Sequence, residues 1–195
     1  MSDKMQVLFV KQTGHVLAAF TRTADPEGKV SANDLTGSGV RIRNVTRVGA
    51  TPPGGETLSV PPDSLDVAVV NFDADVFTSP LSFAAGGGVV AQLGTDIPQT
   101  IPSADFKTGQ ITVTLSSPAA EDLSVWLQLE EVNPLPGNEP ERRVTQGLMS
   151  KTESTVDLNL TIRPGGPPAS IPKKDFYVLV LVAGHQPLFA KMTPT

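Results

Sequence analysis

The chain of 195 residues contains no cysteine, which excludes disulfide bonds, a thiol nucleophile and cysteine-ligated zinc. Aromatic residues are also scarce, at 5% of the sequence, so it offers little of the stacking surface that sugars and single-stranded nucleic acids use. Acidic residues outnumber basic ones, and the formal net charge is −5. Because general nucleic-acid binders are basic, we expect no nucleic-acid partner.

Long hydrophobic runs are absent as well. No segment approaches the roughly 18 consecutive apolar residues that are needed to cross a membrane. The apolar run near the N-terminus is too short for a signal peptide. We therefore expect a soluble protein without a membrane partner, located in the cytoplasm or in an assembled particle.

Proline and glycine are plentiful, with 18 and 17 copies, and they separate short segments in which apolar and polar residues alternate. Residues 155–163, TVDLNLTIR, show this two-residue period most clearly. Residues 117–122 are the best candidate for a helix, and they offer only one turn. The pattern predicts an all-β fold, a single antiparallel β-sandwich over residues 1–195 with almost no helix.

The two ends of the chain resemble each other. Residues 5–23 and 175–193 each contain an apolar run, a turn centred on Gly-His and a second, half-apolar run, which predicts a β-hairpin at each terminus. The only two histidines, His15 and His185, lie in these turns. They could form a metal pair or supply a general base. Neither has an acidic neighbour to orient it, however, and metal sites usually need more ligands, so the sequence favours two exposed turn histidines.

A weaker internal resemblance links residues 57–72 with residues 111–129. Each segment contains a short strand, a connection with proline, serine and an acidic residue, and a long apolar strand. One interpretation is a duplication with halves of about 1–95 and 96–195. The other is that valine, leucine and threonine dominate any set of strands and produce such likenesses by chance.

A polar segment after an apolar strand suggests one possible metal site. Asn71, Asp73 and Asp75 project from one face if the strand continues through them, and alternating oxygen ligands can hold calcium. An EF-hand loop is excluded because its sixth and twelfth positions would be Val76 and Ser82. Two interpretations remain: a shallow calcium site completed by another loop, or simply a polar strand end.

No catalytic constellation is evident. The chain has no Gly-x-Ser-x-Gly elbow, and the triple glycine at residues 86–88 lacks the lysine and helix of a phosphate-binding loop. Glu130 and Glu131 could converge with Asp73 and Asp75 in the fold, but their spacing does not favour this over chance. We expect a protein that is not an enzyme and uses no cofactor.

The two terminal hairpins contain strands without a polar face. Residues 7–10 and 178–182 are apolar on both faces, so each strand must be covered twice. One cover is the protein's own core, and the other is either the opposite hairpin or another subunit. In the second case, the packing residues would be Phe9, Phe20, Val180, Leu181 and Phe189.

Residues 38–48 alternate well and carry a basic stripe formed by Arg41, Arg43 and Arg47. In an acidic protein, this stripe is either a solvated strand face or a surface that meets acidic loops of a neighbouring subunit.

These features favour a non-enzymatic structural protein that oligomerises through β-sheet packing, with itself or with other subunits of an assembly. A component of a viral, phage or phage-tail-like particle fits the composition. The alternative is a carbohydrate-binding or calcium-dependent β-sandwich module with a site around Asp73, Asp75 and Trp126. An enzyme of unknown reaction is the third hypothesis, and it predicts that changing either histidine or the aspartate pair abolishes activity.

Overall fold

The computed structural model describes residues 4–21, 30–37, 39–43, 57–98, 103–105, 108–161 and 169–194. This part of the chain is built from antiparallel sheets, so the prediction of an all-β fold is confirmed. Its strands are β1 (Lys4–Val10), β2 (Val16–Phe20), β3 (Val40–Arg43), β4 (Thr57–Val60), β5 (Leu65–Asn71), β6 (Phe83–Gly86), β7 (Val89–Gln92), β8 (Ser103–Asp105), β9 (Gln110–Thr114), β10 (Leu123–Glu131), β11 (Arg142–Met149), β12 (Thr155–Asn159), β13 (Phe176–Val182) and β14 (Leu188–Met192).

Helices are short, as the sequence predicts. The helix α1 (Ala32–Thr36) begins with a capping box in which Ser31 and Asp34 bond to each other's backbone, and α2 (Ala74–Thr78) is capped by Asp73. Two 3₁₀ turns, Pro62–Ser64 and Pro80–Ser82, each begin with a proline and lead into β5 and β6.

The helix predicted at residues 117–122 is wrong. The backbone N–H of Ala119 donates to the carbonyl of Glu153, and the N–H of Thr152 donates to the carbonyl of Ala119. These bonds to the turn between β11 and β12 replace the local bonds that a helix would need.

The central sheet has the strand order β11-β10-β13-β14, and the inner sheet has the order β2-β1-β5. A flanking sheet has the order β12-β9-β8, and β3-β4 and β6-β7 form two further hairpins. The first and last hairpins, β1–β2 and β13–β14, confirm the prediction of a β-hairpin near each end. The inner strand of each hairpin also pairs with a long apolar strand, β1 with β5 and β13 with β10.

Three apolar clusters hold these sheets in layers. The first lies between one face of the central sheet and the flanking sheet and includes Leu127 and Val180. The second lies between the other face of the central sheet and the inner sheet, where Trp126 and Leu181 share a cluster with Leu8. The third joins the far face of the inner sheet to α2 and the β6–β7 hairpin. We call residues 72–92, which contain Phe72, α2 and the β6–β7 hairpin, the outer layer.

The layered arrangement explains the strands that lack a polar face. In β13, Val178 and Val180 pack into the first cluster, whereas Leu179 and Leu181 pack into the second. In β1, Leu8 faces the central sheet, and Val7 faces the outer layer. The sequence left two candidates for covering the second face of these strands, the opposite hairpin or another subunit. In the fold, the opposite hairpin takes part in covering it.

The internal resemblance has a counterpart in the pairing of strands. The strand β4 pairs with β3 and leads into β5, just as β9 pairs with β8 and leads into β10. The second of these units also pairs with β11 and β12, which the first lacks among the described strands. A duplication with halves of about 1–95 and 96–195 stays a prediction.

Candidate functional site

The two Gly-His turns meet inside the fold. His15 is fully buried, and its Nε2 lies 2.9 Å from the carbonyl oxygen of His185. Its Nδ1 lies 2.9 Å from Oγ1 of Thr13. Because a carbonyl oxygen only accepts, Nε2 carries the proton, and Nδ1 accepts from the Thr13 hydroxyl. The prediction of two exposed turn histidines is wrong for His15, whereas the side chain of His185 is partly exposed.

Burial determines the protonation state of this ring. Desolvation lowers the pKa of His15 to about 4, and the hydrogen bonds to His185 and Thr13 offset only part of that effect. The ring is therefore neutral at pH 7, and both nitrogens are engaged within the protein. His15 links the two hairpin turns and is not placed to act as a base on a substrate.

The apolar residues predicted to form a subunit interface pack within the chain. Val180 and Leu181 are completely buried, and Phe189 is nearly so. Phe9 and Phe20 are half-buried against the third and second clusters, respectively. In this fold, Val180 and Leu181 present no surface to another subunit.

The arginine stripe is described only in part. Arg41 is exposed on β3 and lines a cleft of about 410 Å³ with Glu130, Glu139 and Arg142. The backbone of Arg43 belongs to β3, and Arg47 lies outside the described residues. Arg41 thus faces carboxylates of its own chain on one side.

The residues predicted to bind calcium have local roles. The ammonium of Lys4 donates to Oδ1 of Asn71 at 2.8 Å, and Oδ1 of Asp73 accepts from the backbone N–H of Asp75 at 2.9 Å. In the part of the chain that the structure describes, no three His, Asp or Glu side chains cluster as a metal site would require. The inner sheet separates this region from Trp126, so the ligand site proposed around Asp73, Asp75 and Trp126 is not assembled.

The outer layer exposes apolar side chains. Phe72 and Phe77 are 49% and 38% exposed, and their ring centroids lie 5.6 Å apart. Val89 is 61% exposed at the start of β7, and three of the four residues of this strand are exposed. Residues 76–95 contain no charged side chain. From Val76 onward the outer layer is therefore an uncharged, partly apolar surface that includes one short exposed strand, and its only charged residues are at the start of α2.

A cleft of about 520 Å³ opens between the inner and central sheets beside the edge strand β11. We call it the edge cleft. Its walls come from the β1–β2 turn, the first 3₁₀ turn, the strands β10 and β11, and the end of β12. The residues that line it are Gln12, Pro61, Asp63, Ser64, Trp126, Arg142, Arg143, Val144, Thr145, Gln146, Asn159 and Thr161.

Two polar atoms at the edge cleft have no hydrogen-bond partner in the part of the chain that the structure describes. Among the described residues, the buried side-chain atoms without a partner are Nε1 of Trp126, Oε1 of Gln12 and Oε1 of Gln128. The first two belong to residues that line the cleft. An unsatisfied buried donor or acceptor costs about 1–3 kcal/mol, so such atoms are rare outside functional sites and water-filled spaces.

The two arginines at the cleft are already paired. Nε of Arg142 donates to Oε2 of Glu130 at 3.2 Å. Arg143 is buried and donates to a carboxylate oxygen of Glu141 and to the carbonyls of Ala169 and Ser170. Their positive charges are therefore balanced largely within the protein.

No protein-family model matches this chain, and no curated protein shows significant similarity to it. Among the described residues, no helix is both long and apolar enough to cross a membrane.

Sequence reasoning missed the edge cleft and the outer layer for different reasons. The cleft brings together Gln12, Asp63, Trp126 and Arg142 from four separate segments, and no local pattern connects them. The outer layer did leave a signal, because the absence of charge over residues 76–95 is visible in the sequence.

Proposed function

We propose that this chain is a non-enzymatic structural protein that assembles with copies of itself through its outer layer. The observation that carries the proposal is the exposed, uncharged strand β7, in a layer that also exposes the pair Phe72 and Phe77. The assembly surface is thus the outer layer, and the strands of the terminal hairpins serve as the chain's own core.

The strand β7 offers open backbone groups. Among the described strands it forms a ladder only with β6, and none of them pairs with its other edge. Proteins usually protect such edges with charged residues or proline, because an open edge invites another strand to add to the sheet. The sequence of β7, Val89–Gln92, contains neither. Strand addition between copies would use this edge.

The phenylalanine pair supplies apolar area next to a charged rim. Aromatic residues are enriched in the cores of protein interfaces, and charged residues lie at their rims. Phe72 and Phe77 flank the exposed Asp73 and Asp75 in the chain. Arg41 lines a cleft of about 380 Å³ together with residues just after Phe77, so charges of both signs border this surface.

The test is the mass of the protein in solution, measured by light scattering over a concentration series. We expect the wild type to form a defined oligomer and Val89→Lys to weaken its association at least tenfold, because burying an unpaired lysine costs more than about 1.4 kcal/mol. Leu135→Lys is the matched control, since Leu135 is 71% exposed in the loop between β10 and β11 of the central sheet. A wild type that stays monomeric at every concentration contradicts self-assembly.

Membership in a viral, phage or phage-tail-like particle stays a prediction from composition, as does a location in the cytoplasm. If the protein is part of a mixed assembly, the same surface would bind a different subunit, and Val89→Lys would weaken that contact.

A further inference from the structure

The edge cleft combines a buried donor with a buried acceptor. The indole Nε1 of Trp126 can only donate, and Oε1 of Gln12 can only accept. Trp126 lies in the middle of β10 and is fully buried, so its ring is held by the core. Gln12 lies in the turn between β1 and β2 and is half-buried, and its Oε1 is a buried atom. A group that reaches both atoms must accept from one and donate to the other.

The walls of the cleft favour an uncharged polar ligand. Side-chain amides of Gln146 and Asn159 and the hydroxyl of Ser64 provide further donors and acceptors. The guanidinium groups of Arg142 and Arg143 already pair with Glu130 and Glu141, so the cleft does not offer an uncompensated positive charge to an anion.

We propose that the edge cleft is a binding site for a neutral saccharide, which bonds through its hydroxyls to Nε1 of Trp126 and Oε1 of Gln12. Each sugar hydroxyl donates and accepts at once, and this matches the paired donor and acceptor. The carboxylate of Asp63 and the amides of Gln146 and Asn159 are placed to receive neighbouring hydroxyls. The volume of about 520 Å³ falls within the usual range for small-molecule sites.

Recognition at this site differs from stacking on an aromatic platform. Trp126 is buried, so it contributes its N–H and not an open ring face. Nε1 of Trp126 and Oε1 of Gln12 are both buried, so a ligand must displace side chains at the wall of the cleft to reach them. The proposal stands apart from assembly through the outer layer, because the inner sheet lies between the two sites.

The experiment is a titration of the full chain with D-glucose, D-galactose, D-mannose and N-acetyl-D-glucosamine, followed by calorimetry and by tryptophan fluorescence. Trp126 is the only tryptophan, so a change in emission reports on this cleft. We expect saturable binding of at least one sugar with a matching change in emission. If none of the four binds, or if inorganic phosphate binds and the sugars do not, the proposal is overturned.

Two variants test the contacts. Gln12→Ala and Trp126→Phe should each weaken binding of the sugar at least tenfold by calorimetry, because each removes one hydrogen-bonding group. Gln92→Ala, on the exposed strand β7, should leave it unchanged. Gln12→Ala changes a turn residue and keeps the core intact, so it tests the site even if Trp126→Phe folds poorly. Unchanged affinity in Gln12→Ala overturns the proposal.

Discussion

The buried histidine makes folding stability depend on pH in a defined window. The pKa of His15 falls from 6.5 in a model peptide to about 4 in the fold. The native state therefore binds fewer protons than the unfolded state between these values. The contribution of neutral His15 to the free energy of unfolding is complete above pH 6.5, and it is lost progressively as the pH falls towards 4. Its full size is about 3 kcal/mol, since each unit of pKa difference corresponds to about 1.36 kcal/mol.

The pH dependence of stability that comes from His15 can be separated from the pH dependence that comes from the carboxylates. Between pH 7 and pH 5, linkage with these pKa values predicts a loss of about 2 kcal/mol from His15. The described carboxylates with shifted pKa values, Glu131 and Asp175, titrate below this window, because hydrogen bonds from Lys174 and Lys191 lower their pKa values from 4.5 and 3.8. His15 and His185 are the only histidines, so few other groups change charge between pH 7 and pH 5.

The measurement is urea denaturation followed by Trp126 fluorescence at pH 7, 6 and 5, at one protein concentration. In His15→Gln, the amide can replace the bond to the carbonyl of His185, and the residue does not titrate. This variant should lose some stability at pH 7 and little more on acidification. His185→Gln is the control and should keep the wild-type loss of about 2 kcal/mol. Equal losses in wild type and His15→Gln between pH 7 and pH 5 would refute the reasoning.

Two further predictions concern close contacts in the described structure. Gly14 has a φ of 76°, and a Cβ there would lie 2.9 Å from the carbonyl oxygen of Ala85, so Gly14→Ala should lower the free energy of unfolding by about 1–3 kcal/mol in the same assay. Arg143→Met should cost about 3 kcal/mol, because it leaves the carbonyls of Ala169 and Ser170 without their buried donor. Arg142→Met removes the more exposed ion pair with Glu130, so it should lower the free energy of unfolding by less than about 1 kcal/mol. Equal losses of stability in Arg143→Met and Arg142→Met would contradict the role of burial.

The sequence predicted most of what depends on local pattern. Alternating apolar and polar residues, and runs that are apolar on both faces, predicted the all-β fold and both terminal hairpins. Such patterns are visible in the sequence because the burial of a strand's faces determines which consecutive residues are apolar. The helix at residues 117–122 failed because bonds between Ala119 and residues 152–153, more than thirty positions away, decide the conformation there. The prediction that His15 is exposed was wrong for a similar reason, because its burial depends on the carbonyl of His185 at the other end of the chain.

The turn between β1 and β2 connects these separate observations. Gln12 reaches the edge cleft, the carbonyl of Gly14 accepts from the N–H of Ala85 in β6, and His15 donates to the opposite hairpin. The outer layer is thus hydrogen-bonded to the same turn that supplies the acceptor of the cleft. Protonation of His15 would place a buried charge in this turn. This charge would weaken the contacts of the turn with the edge cleft, with β6 and with the opposite hairpin. Acidification should therefore loosen the outer layer and the edge cleft together, although the inner sheet separates them.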